Sequence, residues 1–211
     1  MNNINEWYTF PGELDKVICD KIKKLGNKKW KPSTVELSKE GYTDEERKVG
    51  KKETYGQSKK SRISEVVWSK DQWLYDIIWP YMEKANSNSG WRYNIKYAES
   101  MQITKYEKGG FYDFHRDGKG DHLSSYDRPD NGFLHGNVRK LSMTVLLNND
   151  YEGGEFQFTS YNKEKCSITT VEQNKIGSII VFPSYMEHRI TPVTRGTRYS
   201  LVVWFLGPPF V

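Results

Sequence analysis

The residues best suited to chemistry in this chain are two histidines and an aspartate. His115 and Asp117 lie two positions apart in an aromatic-rich run that begins at Tyr106, and His188 follows far downstream. Side chains at i and i+2 of a β-strand point to the same face, so a strand would bring this imidazole and carboxylate together. Two imidazoles and one carboxylate on one side of an ion leave open coordination positions, as in non-haem Fe(II) sites. The spacing predicts that His115, Asp117 and His188 are metal ligands at a catalytic centre.

The strand prediction also divides the neighbouring residues between two faces. One face would hold Phe111, Asp113, His115 and Asp117, and the other Tyr112, Phe114 and Arg116. Several ionisable groups on one buried face are costly unless a metal ion or an ion pair compensates for them. A single histidine is more often a structural residue than a ligand. The occurrence of all three residues, His115, Asp117 and His188, in this order is what favours a metal site.

A basic residue follows the distal histidine at a regular interval. Arg198 lies ten residues beyond His188, and Ser200 would share its face on an alternating strand. A guanidinium group matches a carboxylate with two parallel hydrogen bonds, and a nearby hydroxyl can bind the same anion. We therefore predict that Arg198 and Ser200 hold a dicarboxylic co-substrate, with Arg195 as a rival anchor and a surface ion pair as the alternative role for Arg198.

The composition indicates a single domain with an aromatic core. The chain has 211 residues, of which 36% are hydrophobic, and it contains 7 Trp, 14 Tyr and 9 Phe, which bury a large area each. No segment suggests a signal peptide or a membrane span, so no membrane partner is expected. Cys19 and Cys166 are far apart and lack metal-binding spacing, which favours a reducing, cytoplasmic location. The net charge of +5 permits nucleic-acid binding without requiring it.

The N-terminal part is predicted to begin with an amphipathic helix. Apolar residues recur at helical spacing between Leu14 and Leu25, and Gly26 suits the end of the helix. The following segment, 27–62, is polar and basic with a short edge strand at most, and a solvated surface is favoured over a nucleic-acid patch. Within it, 38–61 is a candidate for a loop that covers the substrate.

A second helix and a series of strands complete the secondary-structure prediction. Ser69 and Gln72 resemble a capping box, and Pro80 should kink or split the helix that follows. From Trp91 onward, short runs separated by turn residues predict nine strands, at 91–98, 99–106, 111–117, 139–148, 154–159, 166–171, 177–182, 188–192 and 197–206. We therefore expect one domain over 1–211, mainly β, in which 1–90 supplies helical support and a loop and 91–211 forms a sandwich or barrel.

Five motifs carry a resemblance to a known family. They are Gln102-Ile103-Thr104-Lys105-Tyr106, the run from Gly110 to Asp117, Arg139-Lys140-Leu141-Ser142, Tyr151-Glu152-Gly153-Gly154-Glu155-Phe156, and Phe182-Pro183 through Gly207-Pro208. The chain resembles the Fe(II)/2-oxoglutarate-dependent dioxygenases of the prolyl 4-hydroxylase-like group, especially small bacterial and phage-type members. The resemblance covers residues 62–207 and, more loosely, the N-terminal helix.

The resemblance implies a fold, a cofactor set and a reaction. The fold is a double-stranded β-helix, a distorted jelly roll buttressed by helices. Fe(II) would be held by His115, Asp117 and His188, while Arg198 and Tyr106 would contact 2-oxoglutarate. With O₂ as the oxidant and ascorbate as a reductant, such an enzyme hydroxylates a C–H bond and releases succinate and CO₂.

The segment 118–138, directly after the metal motif, is polar and rich in glycine. It is predicted to be either a plain surface loop or a lid that touches substrate through Tyr126, Arg128 or His135. His122 and His135 are not expected to be metal ligands, because no partner has suitable spacing.

The resemblance favours a prolyl residue of a protein or peptide as the substrate. The alternatives are an oxygenase acting on nucleic acid or on a small molecule, and a non-catalytic cupin-like binding module. The alkylation-repair oxygenases that act on nucleic acid carry a second arginine in their distal motif, which Arg198-Tyr199-Ser200-Leu201 does not match. The presence of every expected ligand in order argues against the cupin-like module.

Overall fold

Two helices and seventeen strands form the described part of the computed structural model, which covers residues 5–26, 29–36, 55–56, 59–118, 124–162 and 165–210. The helices are α1 (Lys16–Leu25) and α2 (Gln72–Asn88). The strands in the N-terminal half are β1 (Tyr8–Phe10), β2 (Lys31–Pro32), β3 (Val35–Glu36), β4 (Tyr55–Gly56), β5 (Arg62–Ile63), β6 (Glu65–Ser69), β7 (Tyr97–Ala98) and β8 (Met101–Tyr106). The remaining strands are β9 (Phe111–His115), β10 (Val138–Leu146), β11 (Glu152–Gly153), β12 (Phe156–Asn162), β13 (Lys165–Val171), β14 (Ile179–Pro183), β15 (His188–Ile190), β16 (Val193–Arg195) and β17 (Arg198–Gly207).

Most strands belong to two antiparallel sheets. The larger sheet has the order β1-β14-β10-β17-β8-β6-β2, with β7 also pairing with β17. The smaller sheet has the order β13-β12-β15-β9-β5, and the pairs β11-β16 and β3-β4 lie outside both sheets. Strands that are distant in sequence, such as β9 and β15, are thus neighbours, which is how the metal motif meets the distal histidine.

The two faces of the larger sheet have different partners. One face packs against the helices, in a core that includes Ile22 of α1, Leu74 and Ile78 of α2, and Leu201 and Val203 of β17. A second buried cluster, to which Phe182 of β14 and Phe158 of β12 both belong, joins the larger sheet to the smaller one. This arrangement of two facing sheets with helices behind the larger one confirms the predicted helix-buttressed jelly roll.

The helix ends differ from the sequence predictions. The N-cap of α2 is Asp71, which makes no capping hydrogen bond with its side chain, and the Ser69 hydroxyl instead donates to the Asp71 carboxylate at 2.6 Å. The predicted capping box of Ser69 and Gln72 is therefore wrong. Pro80 does not split the helix either, since α2 continues from Gln72 to Asn88.

The N-terminal half contributes more β structure than expected. Strands β1, β2 and β6 all join the larger sheet, and none of them was predicted as a core strand. Conversely, the predicted strand 91–98 is reduced to Tyr97–Ala98. A three-residue strand such as β1 offers too few positions for the alternation of apolar and polar residues to be recognised.

Within the described ranges, no helix is both long and apolar enough to cross a bilayer. Most of the predicted covering loop 38–61 lies outside the described residues, as do 119–123 and thus His122.

Candidate metal centre

The structure brings His115, Asp117 and His188 together at one end of the smaller sheet. His188 begins β15 and lies directly opposite His115, the last residue of β9. Ligand atoms of the three residues all lie within 4.8 Å of one another. The Asp117 carboxylate is 3.8 Å from Nε2 of His115 and 3.6 Å from Nε2 of His188. Two imidazoles and a carboxylate therefore face one point, as the spacing predicted.

The way in which the first two residues meet differs from the prediction. Strand β9 ends at His115, so Asp117 lies beyond it rather than on the same strand face. The pairing of β9 with β15 also shifts between His188↔His115 and Ile190↔Tyr112, so that two residues of β9, Asp113 and Phe114, lie opposite one of β15, Arg189. This β-bulge breaks the alternation of side chains.

The bulge places Tyr112 on the side of His115. The two rings are stacked with centroids 3.4 Å apart, and both residues line the same cavity. Asp113, predicted to share the ligand face, also lines the cavity but is an exposed residue, and its carboxylate accepts a hydrogen bond from the Phe114 amide. The predicted two-face assignment is therefore wrong for Tyr112.

Backbone carbonyls fix the orientation of both imidazoles. Nδ1 of His115 lies 2.8 Å from the Asp113 carbonyl oxygen, and Nδ1 of His188 lies 2.9 Å from that of Met186. A carbonyl oxygen only accepts, so these contacts favour the tautomer in which Nδ1 is the donor and Nε2 is the atom available to a metal. These contacts orient the Nε2 atoms as metal ligands are oriented by their outer partners.

The Asp117 carboxylate is held by a pair of serines. The Ser142 hydroxyl donates to Oδ2 of Asp117 at 2.7 Å and is itself 2.9 Å from the Ser184 hydroxyl. The Asp117 amide donates to the Ser184 carbonyl at 2.9 Å, which ties the residue to the end of β14. Ser142 belongs to a motif quoted above, but its type alone did not predict this contact.

The protonation states suit a metal ion. Burial, together with the nearby His188, lowers the pKa of His115 to about 3. Burial opposes ionisation of Asp117, but the two imidazoles, Arg139 and the Ser142 hydrogen bond outweigh it and lower the pKa of that carboxyl. Near neutral pH the centre therefore offers a neutral imidazole at His115 and an ionised carboxylate, the forms in which these groups bind metals.

A cavity of about 390 Å³ opens from this cluster into the space between the sheets. All six residues predicted for the site line it, namely Tyr106, His115, Asp117, His188, Arg198 and Ser200. Arg198 and Tyr106 are cross-strand partners on β17 and β8, and the guanidinium carbon lies 5.8 Å from the tyrosine ring centroid. Alternation along β17 places Ser200 beside Arg198, as predicted.

Arg198 is a fully buried cation without a charged partner in the described part of the chain. Its side chain is 0% exposed, and its Nε and Nη1 atoms lack hydrogen-bond acceptors there. Its hydrogen bond is to the neutral Gln173 amide, which accepts from Nη2 at 3.3 Å. The rival Arg195 is 76% exposed and pairs with Glu152, so it does not reach the cavity.

Sequence reasoning missed several residues that shape the cavity. Arg139 forms a bidentate ion pair with Glu99 at 2.6 and 2.7 Å, and its guanidinium carbon lies 4.2 Å from the centre of the Trp204 ring. Arg62, expected in a solvated segment, is buried and lies 4.4 Å from the centre of the Tyr112 ring. Neither pairing follows a regular spacing, so only the tertiary fold could reveal them.

The described part of the segment after the metal motif contributes Gly118 and Tyr126 to the cavity wall. Of the three predicted substrate contacts, Tyr126 lines the cavity. Arg128 pairs with Asp130 at 2.9 Å, and His135 is exposed with Nδ1 3.7 Å from Asp127. The lid prediction for 118–138 remains a prediction.

Comparisons of sequence place the chain among iron-dependent oxygenases. Residues 101–206 match the family model described as the 2OG-Fe(II) oxygenase superfamily. A PKHD-type hydroxylase of Gloeothece citriformis is 33% identical over 109 residues, which cover 50% of this chain and 41% of that protein. Prolyl 3-hydroxylase 2 of Homo sapiens is 36% identical over 73 residues, which cover 34% of this chain and 10% of that protein. The chain thus spans less than half the length of these curated relatives.

Solved structures share the fold over nearly the whole chain. The viral collagen prolyl hydroxylase of Paramecium Bursaria Chlorella virus-1 superposes with a TM-score of 0.63 at 19% identity, covering 96% of this chain and 97% of that one. A prolyl-4-hydroxylase of Pseudomonas putida gives a TM-score of 0.60 at 17% identity, covering 95% and 91%. At such low identities the likeness establishes the architecture alone.

Proposed function

Because the chain belongs to the 2OG-Fe(II) oxygenase superfamily, whose chemistry uses Fe(II), 2-oxoglutarate and O₂, we propose that it hydroxylates a prolyl residue of a protein or peptide. The co-substrate would be converted to succinate and CO₂, with ascorbate as a reductant. The observation that carries this proposal is a two-histidine, one-aspartate cluster that shares a cavity with a buried, uncompensated guanidinium group.

The residues of the cluster suit Fe(II). His115 and His188 would bind it through Nε2, and Asp117 through a carboxylate oxygen. When bound, Fe(II) activates O₂ and supplies the oxidation that breaks the substrate C–H bond. The protein would contribute fixed ligand orientations, through the carbonyls of Asp113 and Met186 and through Ser142.

Arg198 suits the distal carboxylate of 2-oxoglutarate. A fully buried guanidinium without a counter-charge is costly, and a carboxylate ligand would remove that cost with a bidentate pair. Tyr106 and Ser200 line the cavity next to it and could donate their hydroxyls to the same ligand. The arginine would thereby fix the co-substrate in one orientation relative to the metal cluster.

Aromatic side chains would keep water from the reacting centre. Tyr112 stacks on His115, and Phe156 stacks on His188 with ring centroids 5.4 Å apart. Phe182 packs edge-on against His188 at 4.7 Å. An apolar shell of this kind controls solvent access to a metal site.

A groove beside the cavity supports a polypeptide substrate. Its volume is about 850 Å³, and Trp68 lines both the groove and the cavity. The groove is rich in aromatic residues, namely Trp68, Tyr75, Trp79, Tyr97 and Phe133, and proline-rich segments dock on such surfaces. Its charged residues have both signs, Lys70 and Lys96 against Asp76 and Glu99, which does not favour a polyanion.

The substrate assay incubates the protein, Fe(II), ascorbate and 2-oxoglutarate with proline-rich peptides and, separately, with DNA and RNA oligonucleotides. We expect a mass gain of one oxygen on a prolyl ring, with an equivalent amount of succinate. Asp117→Ala should abolish both products. Asp20→Ala is the control, because it removes a carboxylate of α1 that pairs with Lys16 and Lys23 outside the cavity and should leave turnover intact.

Other outcomes separate the alternatives. Oxidised nucleobases with unmodified peptides would replace the prolyl proposal with the nucleic-acid hypothesis. Succinate release that none of these substrates increases would favour a small-molecule substrate, and a protein that binds metal without ever forming succinate would be a cupin-like binding module.

The groove has its own test. Phe133→Ala removes a side chain that is 64% exposed in the groove, so it should raise KM for long proline-rich peptides and leave KM for short ones unchanged. Ile168→Ala, 51% exposed on β13 and outside the groove, is the control. Equal KM values for both variants and the parent would remove the groove from the substrate site.

A further inference from the structure

Gln173 contacts the guanidinium group of Arg198, which lines the cavity, although Gln173 is not itself one of the lining residues. It lies in the connection between β13 and β14, and its Oε1 accepts a hydrogen bond from Nη2 of Arg198 at 3.3 Å. Its Nε2 is buried and has no acceptor among the described residues, and the same holds for Nε and Nη1 of Arg198. Three buried nitrogen atoms thus lack acceptors on two side chains that touch each other.

This cluster is costly in the free protein. A buried donor without an acceptor costs about 1–3 kcal/mol, and buried polar groups in folded proteins are usually satisfied. Arg198 also has no carboxylate partner in the described part of the chain. The missing group must accept several hydrogen bonds and carry negative charge, and a carboxylate does both with two oxygens and about four lone pairs.

The orientation of the amide suits it to hold the guanidinium group. Oε1 accepts from the guanidinium group, which has donors only, and this contact fixes the plane of the Arg198 side chain. A glutamine suits this position better than a glutamate. A carboxylate here would pair with Arg198, cancel its charge and compete with any anionic ligand.

We propose that Gln173 is a positioning residue of the co-substrate site, where it orients the guanidinium of Arg198 toward the distal carboxylate of 2-oxoglutarate. This inference rests on the function proposed above. Gln173 acts through Arg198 in this account, since its contact is with the residue that would bind the carboxylate end of the ligand and not with the metal cluster.

The test measures 2-oxoglutarate binding by calorimetry on protein loaded with Mn(II), an inert substitute for Fe(II). Gln173→Leu should weaken 2-oxoglutarate binding about tenfold or more, the value of a hydrogen bond to a charged group. Gln173→Glu should weaken it further, because the new carboxylate pairs with Arg198. The affinity for Mn(II) should remain that of the parent in both variants, which also shows that they are folded.

Asn174→Asp is the matched control for charge. It adds the same negative charge at the neighbouring, exposed position. Because a charge at the surface is screened by salt, we expect the affinity for 2-oxoglutarate to change less than about twofold. Parent-like 2-oxoglutarate affinity in both Gln173 variants would overturn the role of Gln173 and leave the proposed function intact. A parent protein that binds Mn(II) but not 2-oxoglutarate would overturn both.

Discussion

Each residue of the metal cluster owes its orientation to a backbone or hydroxyl group outside the cluster. The types and spacing of His115, Asp117 and His188 were sufficient to predict that they meet. The contacts that fix them were not predictable, because the Asp113 and Met186 carbonyls carry no side-chain signal and Ser142 is an ordinary strand residue. Gln173 was missed for the same reason, since its role depends on a loop that returns to β17.

Ser142→Ala should weaken metal binding without unfolding the protein. The change removes the hydroxyl that donates to Oδ2 of Asp117 at 2.7 Å, and loss of such an outer contact typically costs about 10–100-fold in metal affinity. Titration of Mn(II) into the metal-free protein measures this affinity. Ser184→Ala is the comparison, because it keeps the carbonyl that accepts from the Asp117 amide and should weaken binding less. Equal Mn(II) affinities for the parent, Ser142→Ala and Ser184→Ala proteins would show that metal binding by Asp117 does not depend on these hydroxyl groups.

The two cysteines should differ sharply in reactivity. Cys19 is 0% exposed in the core, and burial is the main cause that raises the pKa of its thiol to about 11. Cys166 is exposed on β13. Because the thiolate is the nucleophile, a thiol reagent at pH 8 should modify one cysteine in the native protein and both in urea. Rapid native labelling at Cys19, located by peptide mass spectrometry, would contradict this packing.

At the scale of elements, β9 and its bulge determine how the site is built. An unbroken strand would place Tyr112 and His115 on opposite faces, whereas the extra residue opposite β15 stacks their rings. Sequence alternation cannot reveal a bulge, because the partner strand decides where the pairing shifts. The pattern in β17 has no such irregularity between Arg198 and Leu201, and the predicted division of its two faces agrees with the structure.

Substitution of the glycine in the turn before β14 should strongly lower the free energy of unfolding. Gly177 has φ +77°, and a Cβ there would lie 1.8 Å from the Leu14 carbonyl oxygen, which precedes α1. Gly177→Ala should therefore destabilise the protein by about 3 kcal/mol or more, from left-handed strain and overpacking together. Urea unfolding gives the free energy of unfolding.

Gly136→Ala separates the two causes. Gly136 has φ +74°, but no atom of the described residues beyond its chain neighbours lies within 4 Å of a Cβ there, so its substitution should cost only the conformational strain of about 1–2 kcal/mol. If the two alanine variants lost the same stability, the close approach of Leu14 to Gly177 would not matter.

At the scale of the whole molecule, the two faces of the larger sheet have different roles. One face packs on α1 and α2, while the other contributes Arg198 and Ser200 to the cavity. Composition and the series of short strands predicted this architecture, because aromatic and β-branched runs between glycine turns are typical of sandwiches. The strands β1 and β2 were not predictable, since short edge strands depend on the sheet that they join.

The central claim is that one cavity binds a metal ion and, with it, 2-oxoglutarate. The most direct measurement is a sequential calorimetric titration of Mn(II) and then 2-oxoglutarate into the parent, His188→Ala and Arg198→Lys proteins. The parent should bind one Mn(II) and then one 2-oxoglutarate. His188→Ala should lose both, whereas Arg198→Lys should keep the metal and bind 2-oxoglutarate more weakly by about 1–3 kcal/mol, because lysine lacks the guanidinium fork. Parent-like metal binding in His188→Ala, or parent-like 2-oxoglutarate binding in Arg198→Lys, would contradict the account.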